Sequence, residues 1–289
     1  MAAVLLAASL AAAGASPPVR AFGLGASAIA PRWDGAANAG PLGRAADALF
    51  MARFRAKLAA EYGTDSVAPP GSYEGITDLI VGLHERDGGA SSAHVEAASH
   101  RVLRSLFPNW PPLNPPGTVG LLHWFGVLFA RPFPAFSARL NAWVTWLAAQ
   151  WLMGRCELRD VDDPLDMAKL AAGDGRKQLL YVQRCRYLEE TKCASVCVNT
   201  CKTPTQLFFN ADMGVALTIE PNYETLECQF KFGVPPSPLD DAEARAVACF
   251  SECPSRRGFG PAVVGPAVTA SDAASRLAAV ARQCSRMGE

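Results

Sequence analysis

The sequence predicts an α+β fold, mainly α: an N-terminal helical bundle followed by a small cysteine-rich segment with a helix and a β-hairpin. Three observations carry this. Residues 45–155 place apolar side chains at helical spacing. Residues 214–232 alternate apolar with polar. Seven of the nine cysteines fall between 185 and 253. Half of the 289 residues are apolar, enough for a sizeable core. Formal net charge is zero, so no nucleic-acid partner is expected, and specificity is expected from an apolar or metal site.

Residues 1–33 stand apart. They hold no acidic residue, are rich in Ala and Ser, and carry only Arg20 and Arg32. That composition fits an organellar transit peptide; VLLAASLAAAGA also offers the apolar stretch of a secretory signal, without its charged start. The region 45–155 is expected to be helical and aromatic-rich. AADALFMARFRAKLAAEY (45–62) brings Leu49, Phe50, Phe54 and Leu58 close to one face, and Gly63 offers a stop. SYEGITDLIVGLHER starts a second helix at Ser72, with Ile76, Leu79, Ile80 and Leu83 as its apolar stripe. A third, 92–107, carries Val95, Val102, Leu103 and Leu106. The five prolines of FPNWPPLNPPG (107–117) demand an irregular connector.

Beyond it, 119–130 and 140–153 are too short to span a bilayer and read as buried or interfacial helices. Trp143, Trp146 and Trp151 are expected on one broad helical face. That face is either an aromatic core or the wall of a slot for a long apolar ligand or a membrane surface. Residues 158–177 are acidic and Gly-rich and read as a surface loop. QLLYVQR (178–184) reads as a strand. RYLEETKCASVCVNTCK reads as a helix stopped by Pro204. GVALTIE and TLECQFKF alternate on either side of a Pro-Asn turn and form the hairpin, with Cys228 on its apolar face. DDAEARAVACFSECPS reads as a short helix that completes a 178–255 unit. The tail, 256–289, is expected to be peripheral.

Cys193, Cys197 and Cys201 stand four residues apart. On an α-helix, four residues advance about 6 Å and rotate about 40°, so neighbouring pairs share a face, but all three span about 12 Å. Two of the three are therefore expected as co-ligands. Cys249 and Cys253 repeat the spacing on a second helix, and Cys228 could substitute from the hairpin. Four thiolates suit zinc or an iron–sulfur cluster; disulfides in an oxidising compartment and redox thiols are the other readings. No Cys-x-x-Cys and no ferredoxin run is present. All four histidines precede residue 124: His84, His94 and His100 read as surface helix residues, and His123 as a packed one. There is no phosphate-cradling loop and no nucleophile elbow.

CRYLEETKCASVCVNTCKTPTQLFF, MGVALTIEPNYETLECQFKFGVPP and CFSEC together closely resemble the plastid beta-carotene isomerases of the dwarf-twenty-seven type, a family that supplies the first step of strigolactone synthesis. SYEG (72–75) and WLMGRCELRD (151–160) extend the likeness, which covers about 70–255. The resemblance implies reversible isomerisation of all-trans-beta-carotene to the 9-cis form at C9–C10, with iron as cofactor, either Fe2+ or an iron–sulfur cluster. It carries over Cys185, Cys193, Cys197, Cys201, Cys228, Cys249 and Cys253 as metal candidates, together with Asn199, Lys202, Pro204 and Gln206. It also turns residues 1–33 into a plastid transit peptide, with a chloroplast location in the stroma or at the membrane surface. The implied partners are a carotenoid substrate and, by peripheral contact, the plastid membrane. Twisting a polyene C=C needs a transient loss of bond order, by one-electron transfer or by protonation. Thiolate-held iron suits the first; Glu220 is the candidate acid for the second. Trp143, Trp146, Trp151, Phe208 and Phe209 are the candidates for lining the slot.

Overall fold

Three amphipathic segments at the start become α1 (Pro41–Tyr62), α2 (Tyr73–Glu85) and α3 (Ser92–Ser105) in the computed structural model, which describes residues 41–85 and 92–237. The stripes of α2 and α3 face inward as the spacing predicts, with Ile76, Leu79, Ile80 and Leu83 from α2 and Val95, Ala98 and Val102 from α3 buried; on α1 Leu58 and Tyr62 are buried and Phe54 half-buried, but Leu49 and Phe50 of the expected stripe are exposed. Each large side chain so buried contributes about 1.5–3 kcal/mol by leaving water. Presequence and tail, including Cys249, Cys253 and Cys284, lie outside the described residues.

The SYEG stretch is a junction between segments. The Ser72 hydroxyl accepts the Gly75 N–H at 3.2 Å, which starts α2. The Tyr73 hydroxyl donates to Leu152 O at 2.8 Å, and the Arg186 guanidinium lies 3.6 Å from the centre of its ring. Gly75 leaves room for Arg55, because a Cβ there would overlap the guanidinium Nη1 and stand 2.6 Å from Cζ. Arg55 is buried and donates to the carbonyls of Ser66, Ala68 and Pro69 and to Asp65, pinning the 65–69 loop.

After the proline-rich connector come α4 (Gly120–Phe125), a π-helical turn (Gly126–Ala130), α5 (Pro134–Ala148) and α6 (Gln150–Met153). Ala149 leaves helical geometry (φ −117, ψ 4) between α5 and α6, so Trp151 does not share a helix with Trp143 and Trp146, as the pattern had implied. The acidic loop expected at 158–177 is partly ordered. Its start joins strand β1 (Cys156–Arg159), and Asp163 caps α7 (Pro164–Lys169) by accepting the N–H groups of Leu165 and Asp166.

The sheet is larger than the hairpin expected. β2 (Leu179–Val182), β3 (Leu217–Pro221) and β4 (Cys228–Phe232) join β1 in the antiparallel order β1-β2-β4-β3. Phe230 faces Leu180 on one side and Ile219 on the other. The expected 186–202 helix is broken. α8 (Arg186–Thr191) ends at Lys192 in left-handed geometry (φ 49, ψ 30), and Cys193 is extended. A new helix runs over 194–213. It alternates α-helical Ala194–Val196 (α9), π-helical Cys197–Lys202, α-helical Thr203–Leu207 (α10) and π-helical Phe208–Met213.

Pro204 does not end that helix. It stands in the first turn of α10, where the preceding π turn has already changed the hydrogen-bond register. Gly214 ends the run in left-handed geometry (φ 70) and donates to Phe209 O. One hydrophobic core runs from Leu58 through the N-terminal helices to Phe232 of the sheet.

Candidate functional site

The break at Lys192 removes the first rung of the cysteine ladder. Cys193 (φ −139, ψ 114) precedes the helix that carries Cys197 and Cys201. Those two occupy a π turn in which the Thr203 N–H donates to Val198 O, five residues back. A π turn holds more residues than an α turn, so the 40° offset expected between them does not apply.

Two other elements bring further thiols. Cys185 stands at the N-terminus of α8 and donates its N–H to Leu226 O at 2.6 Å. Cys228 opens β4, opposite Val182 and Pro221. Cys185, Cys197, Cys201 and Cys228 interact electrostatically, and the buried Lys202 acts on Cys197 and Cys228. Burial pushes all four thiols up, Cys185 to about 11 and Cys201 to about 12, and Cys197 and Cys228 well above the ordinary thiol value. The backbone of Leu188 and Tyr187 pulls Cys185 partly back. Neighbouring sulfurs raise Cys197 and Cys228 further, against Lys202. In the metal-free protein these are neutral thiols at pH 7. The six cysteines among the described residues are free, not disulfide-bonded.

Soft sulfur donors are therefore present, but they are not gathered. Among the described residues, no three of His, Cys, Asp and Glu come together closely enough to hold a metal ion. The described thiols alone do not fit an iron centre. The expected four-thiolate set also calls on Cys249 and Cys253, outside the described residues.

Beside the thiols lies an apolar cleft enclosing about 510 Å³, open solvent at its mouth included. One wall comes from Phe54, Leu58, Ile80, Ser99, Val102 and Leu103, the other from Leu152, Met153, Tyr187, Thr200, Cys201 and Thr205. Tyr187 OH and Thr200 Oγ1 hydrogen-bond each other, and Thr200 also donates to Val196 O at 2.6 Å. Both hydroxyls are thus satisfied, and burial holds the Tyr187 phenol well above its ordinary value, so this floor offers a hydrocarbon no unmet polar group. Cys201 is the thiol on the wall.

None of the five aromatic candidates lines this cleft. Trp151 is buried behind it, edge-on to Phe54 at 5.8 Å. Trp146 donates its indole N–H to Cys156 O at 3.1 Å, and Trp143 is half-buried on α5. Phe208 and Phe209 stack in the core between Phe107 and Phe232, at centroid distances of 5.2–5.3 Å. Glu220 accepts from Lys231 Nζ at 2.5 Å and does not face the cleft. His100 is no free surface residue: its Nε2 lies 2.6 Å from Asp212 Oδ2, with Arg104 on the same carboxylate. The Asn199 amide donates to Ser195 Oγ at 3.1 Å. Gln206 holds β3, as described below. Sequence reasoning passed over Tyr187 and Thr200, although both lie within the recognised segment; a tyrosine and a threonine thirteen apart carry no spacing signal.

Residues 151–241 match the family model described as "Beta-carotene isomerase D27-like, C-terminal". The chain is 30% identical over 134 residues to "Beta-carotene isomerase D27, chloroplastic" of Arabidopsis thaliana, covering 46% of this chain and 48% of that one. To the protein of the same name in Medicago truncatula it is 31% identical over 107 residues, 37% and 39% of the two chains. The matched part thus spans about half of these relatives' length or less. No solved structure matches.

Proposed function

From the premise that residues 151–241 form a beta-carotene isomerase D27-like C-terminal domain, we propose that the chain is a chloroplast carotenoid isomerase. The reaction proposed is reversible conversion of all-trans-beta-carotene to the 9-cis isomer at C9–C10. One observation supports it beyond the match: the apolar cleft closes between that segment, which contributes Tyr187, Thr200 and Cys201, and the N-terminal helices. The plastid location follows the names of both relatives.

In this reading the cleft's chain-derived work is to desolvate and orient one stretch of polyene. The mainly apolar wall from α1, α2 and α3 excludes water from it. The Tyr187–Thr200 pair forms a closed polar floor that keeps the hydrocarbon from meeting an unsatisfied donor. Iron, as Fe2+ or a cluster, is part of the proposal, with ligands drawn from Cys185, Cys193, Cys197, Cys201, Cys228, Cys249 and Cys253. The described thiols alone do not close a metal site.

Purified full-length protein is incubated with all-trans-beta-carotene in micelles and the isomers are resolved by chromatography. A 9-cis peak above the protein-free control is expected, and its absence from iron-replete protein would sink the reading. Metal analysis of anaerobically purified protein, with a thiolate–iron absorption band bleached by chelator, tests the cofactor separately. Binding without turnover would leave a carotenoid-binding module instead.

A further inference from the structure

α5 is turned inside out. The face it lays on the sheet is made of small residues, with Ser137, Ala138 and Ala142 fully buried. Two large apolar side chains at its start point the other way: Phe133, at the head of the helix, is 57% exposed and Phe136 53%, whereas Trp146 further along packs against the core. Val144 continues the stripe eight residues beyond Phe136. The π turn just before adds Leu128 and Phe129, 54% and 43% exposed.

A helix that packs through alanine and presents phenylalanine is the reverse of a helix folded for water alone. The elbow is rigid rather than frayed. Arg131 N–H donates to Gly126 O at 3.0 Å and Phe133 N–H to Phe129 O at 2.9 Å. The rings of Phe125 and Phe129 stack at 5.6 Å. The segment itself carries no acid, although Arg139 further along α5 pairs with Asp174 of a later loop. No Asp or Glu occurs from 97 to 156, whereas Arg131, exposed, sits inside the apolar stretch.

We infer that this elbow, Leu128 to Val144, is a membrane-docking surface that inserts Leu128, Phe129, Phe133 and Phe136 into the interface of an anionic bilayer, with Arg131 on the lipid headgroups. Apolar insertion supplies the affinity and the arginine the preference for anionic lipid. No helix among the described residues is long and apolar enough to cross a membrane, and the contact is peripheral. A second copy of the chain fits less well. A two-fold patch would have to offer its own carboxylate to Arg131, and the segment contains none.

The test uses the full chain without carotenoid, so its failure leaves the isomerase reading untouched, and loss of isomerase activity would leave this one untouched. Co-sedimentation is measured with phosphatidylcholine vesicles and with vesicles containing phosphatidylglycerol. The wild type is expected on the anionic vesicles. The Phe133→Ser/Phe136→Ser variant is expected to lose about a hundredfold in partitioning. Arg131→Glu is expected to weaken binding several-fold, more on anionic than on neutral vesicles. Val67→Ser, more exposed still but distant in sequence from the elbow, is expected to change nothing. Wild type that stays in solution, or a double serine variant that still sediments, overturns the proposal, as does a concentration-dependent dimer without vesicle binding. Should the double variant not fold, quenching of wild-type tryptophan fluorescence by chain-brominated lipid decides: quenching supports insertion, and its absence overturns it.

Discussion

The side-chain Oε1 of Gln206 accepts the backbone N–H of Ile219 at 2.8 Å, so a helix covers the edge of the sheet. β3 is an edge strand, bonded only to β4, and its outer backbone groups would otherwise stand open to another chain. Asn210 extends the cover. Its amide donates to Leu217 O at 3.0 Å and its Oδ1 accepts Leu217 N–H at 3.3 Å. Gln206 and Asn210 lie four residues apart on the 194–213 helix, so the helix that carries Cys197 and Cys201 is fixed to the strand pair that carries Cys228.

Gln206→Leu is therefore expected to destabilise the protein by about 1–3 kcal/mol, because the Ile219 N–H is left buried without an acceptor. Urea unfolding reads this as a lower midpoint at unchanged slope, and the Ile219 amide should exchange with solvent faster than in the wild type. An unchanged midpoint would show that water or another acceptor replaces the glutamine.

The cleft gives a second expectation. Thr205 is half-buried on its wall, and Thr205→Phe would fill it while leaving the Tyr187–Thr200 pair in place. Carotenoid binding should fall at least about tenfold, with stability changed by no more than about 1–3 kcal/mol, the usual range for a modest overpacking. Fluorescence quenching by beta-carotene measures the first and urea unfolding the second. Unimpaired binding would place the polyene elsewhere, with the Trp143 face of α5 as the next surface to probe.

How far the sequence foretold this arrangement depends on where each signal resides. The β3–β4 pair was legible because apolar residues alternate along 214–232, although Thr218 and Lys231 on the opposite face are buried as well. The stripes of α2 and α3 were legible because helical spacing is local too, whereas on α1 Leu49 and Phe50 of the expected stripe are exposed. β1 was not: CELR is four residues long, and it is a strand only because β2 lies beside it. The helix through Pro204 ran against the ordinary reading of a proline as a stop, since Pro204 falls in the first turn after a π turn, and no residue pattern announces one. The cysteine ladder failed at Lys192, whose left-handed backbone a sequence of good helix formers conceals. At the site, cysteine density pointed to this segment, but the described thiols are not gathered into one metal-holding group. The cleft was not, since its walls come from six separate segments.

Lys231 should tie stability to alkaline pH. Its ammonium lies 2.6 Å from Asp166 Oδ2 and 2.5 Å from Glu220 Oε2, with 7% of the side chain exposed. Burial alone would lower its pKa, but the hydrogen bonds to Asp166 and Glu220 outweigh this and raise it above the ordinary lysine value. A cation favoured in the folded state stabilises it fully below the unfolded pKa, near 10.5, and that contribution disappears as pH rises through the folded value. Lys231→Met should cost about 3–5 kcal/mol near pH 7, since it strands the buried Asp166 carboxylate. The exposed Glu220 contact adds little. The difference in urea midpoint between wild type and Lys231→Met should shrink above pH 10.5; a gap that stays constant to pH 12 would mean that the lysine acts through packing alone.

Gly75 and Arg55 make the last case, in which a resemblance motif reduces to sterics. A Cβ at 75 would meet Nη1 of Arg55, whose guanidinium holds four acceptors across the 65–69 turn. Gly75→Ala must either push that group aside, releasing the Ser66, Ala68 and Pro69 carbonyls, or shift α2 against α1. Helix propensity alone would favour alanine by roughly 1 kcal/mol, so the sign of the measured change distinguishes crowding from propensity. We expect a net loss of about 1–3 kcal/mol. In an Arg55→Met background the crowding atom is gone, and Gly75→Ala should cost less or become stabilising. Urea unfolding of the four proteins closes the cycle, and a coupling indistinguishable from zero would show that glycine at 75 is not kept for Arg55.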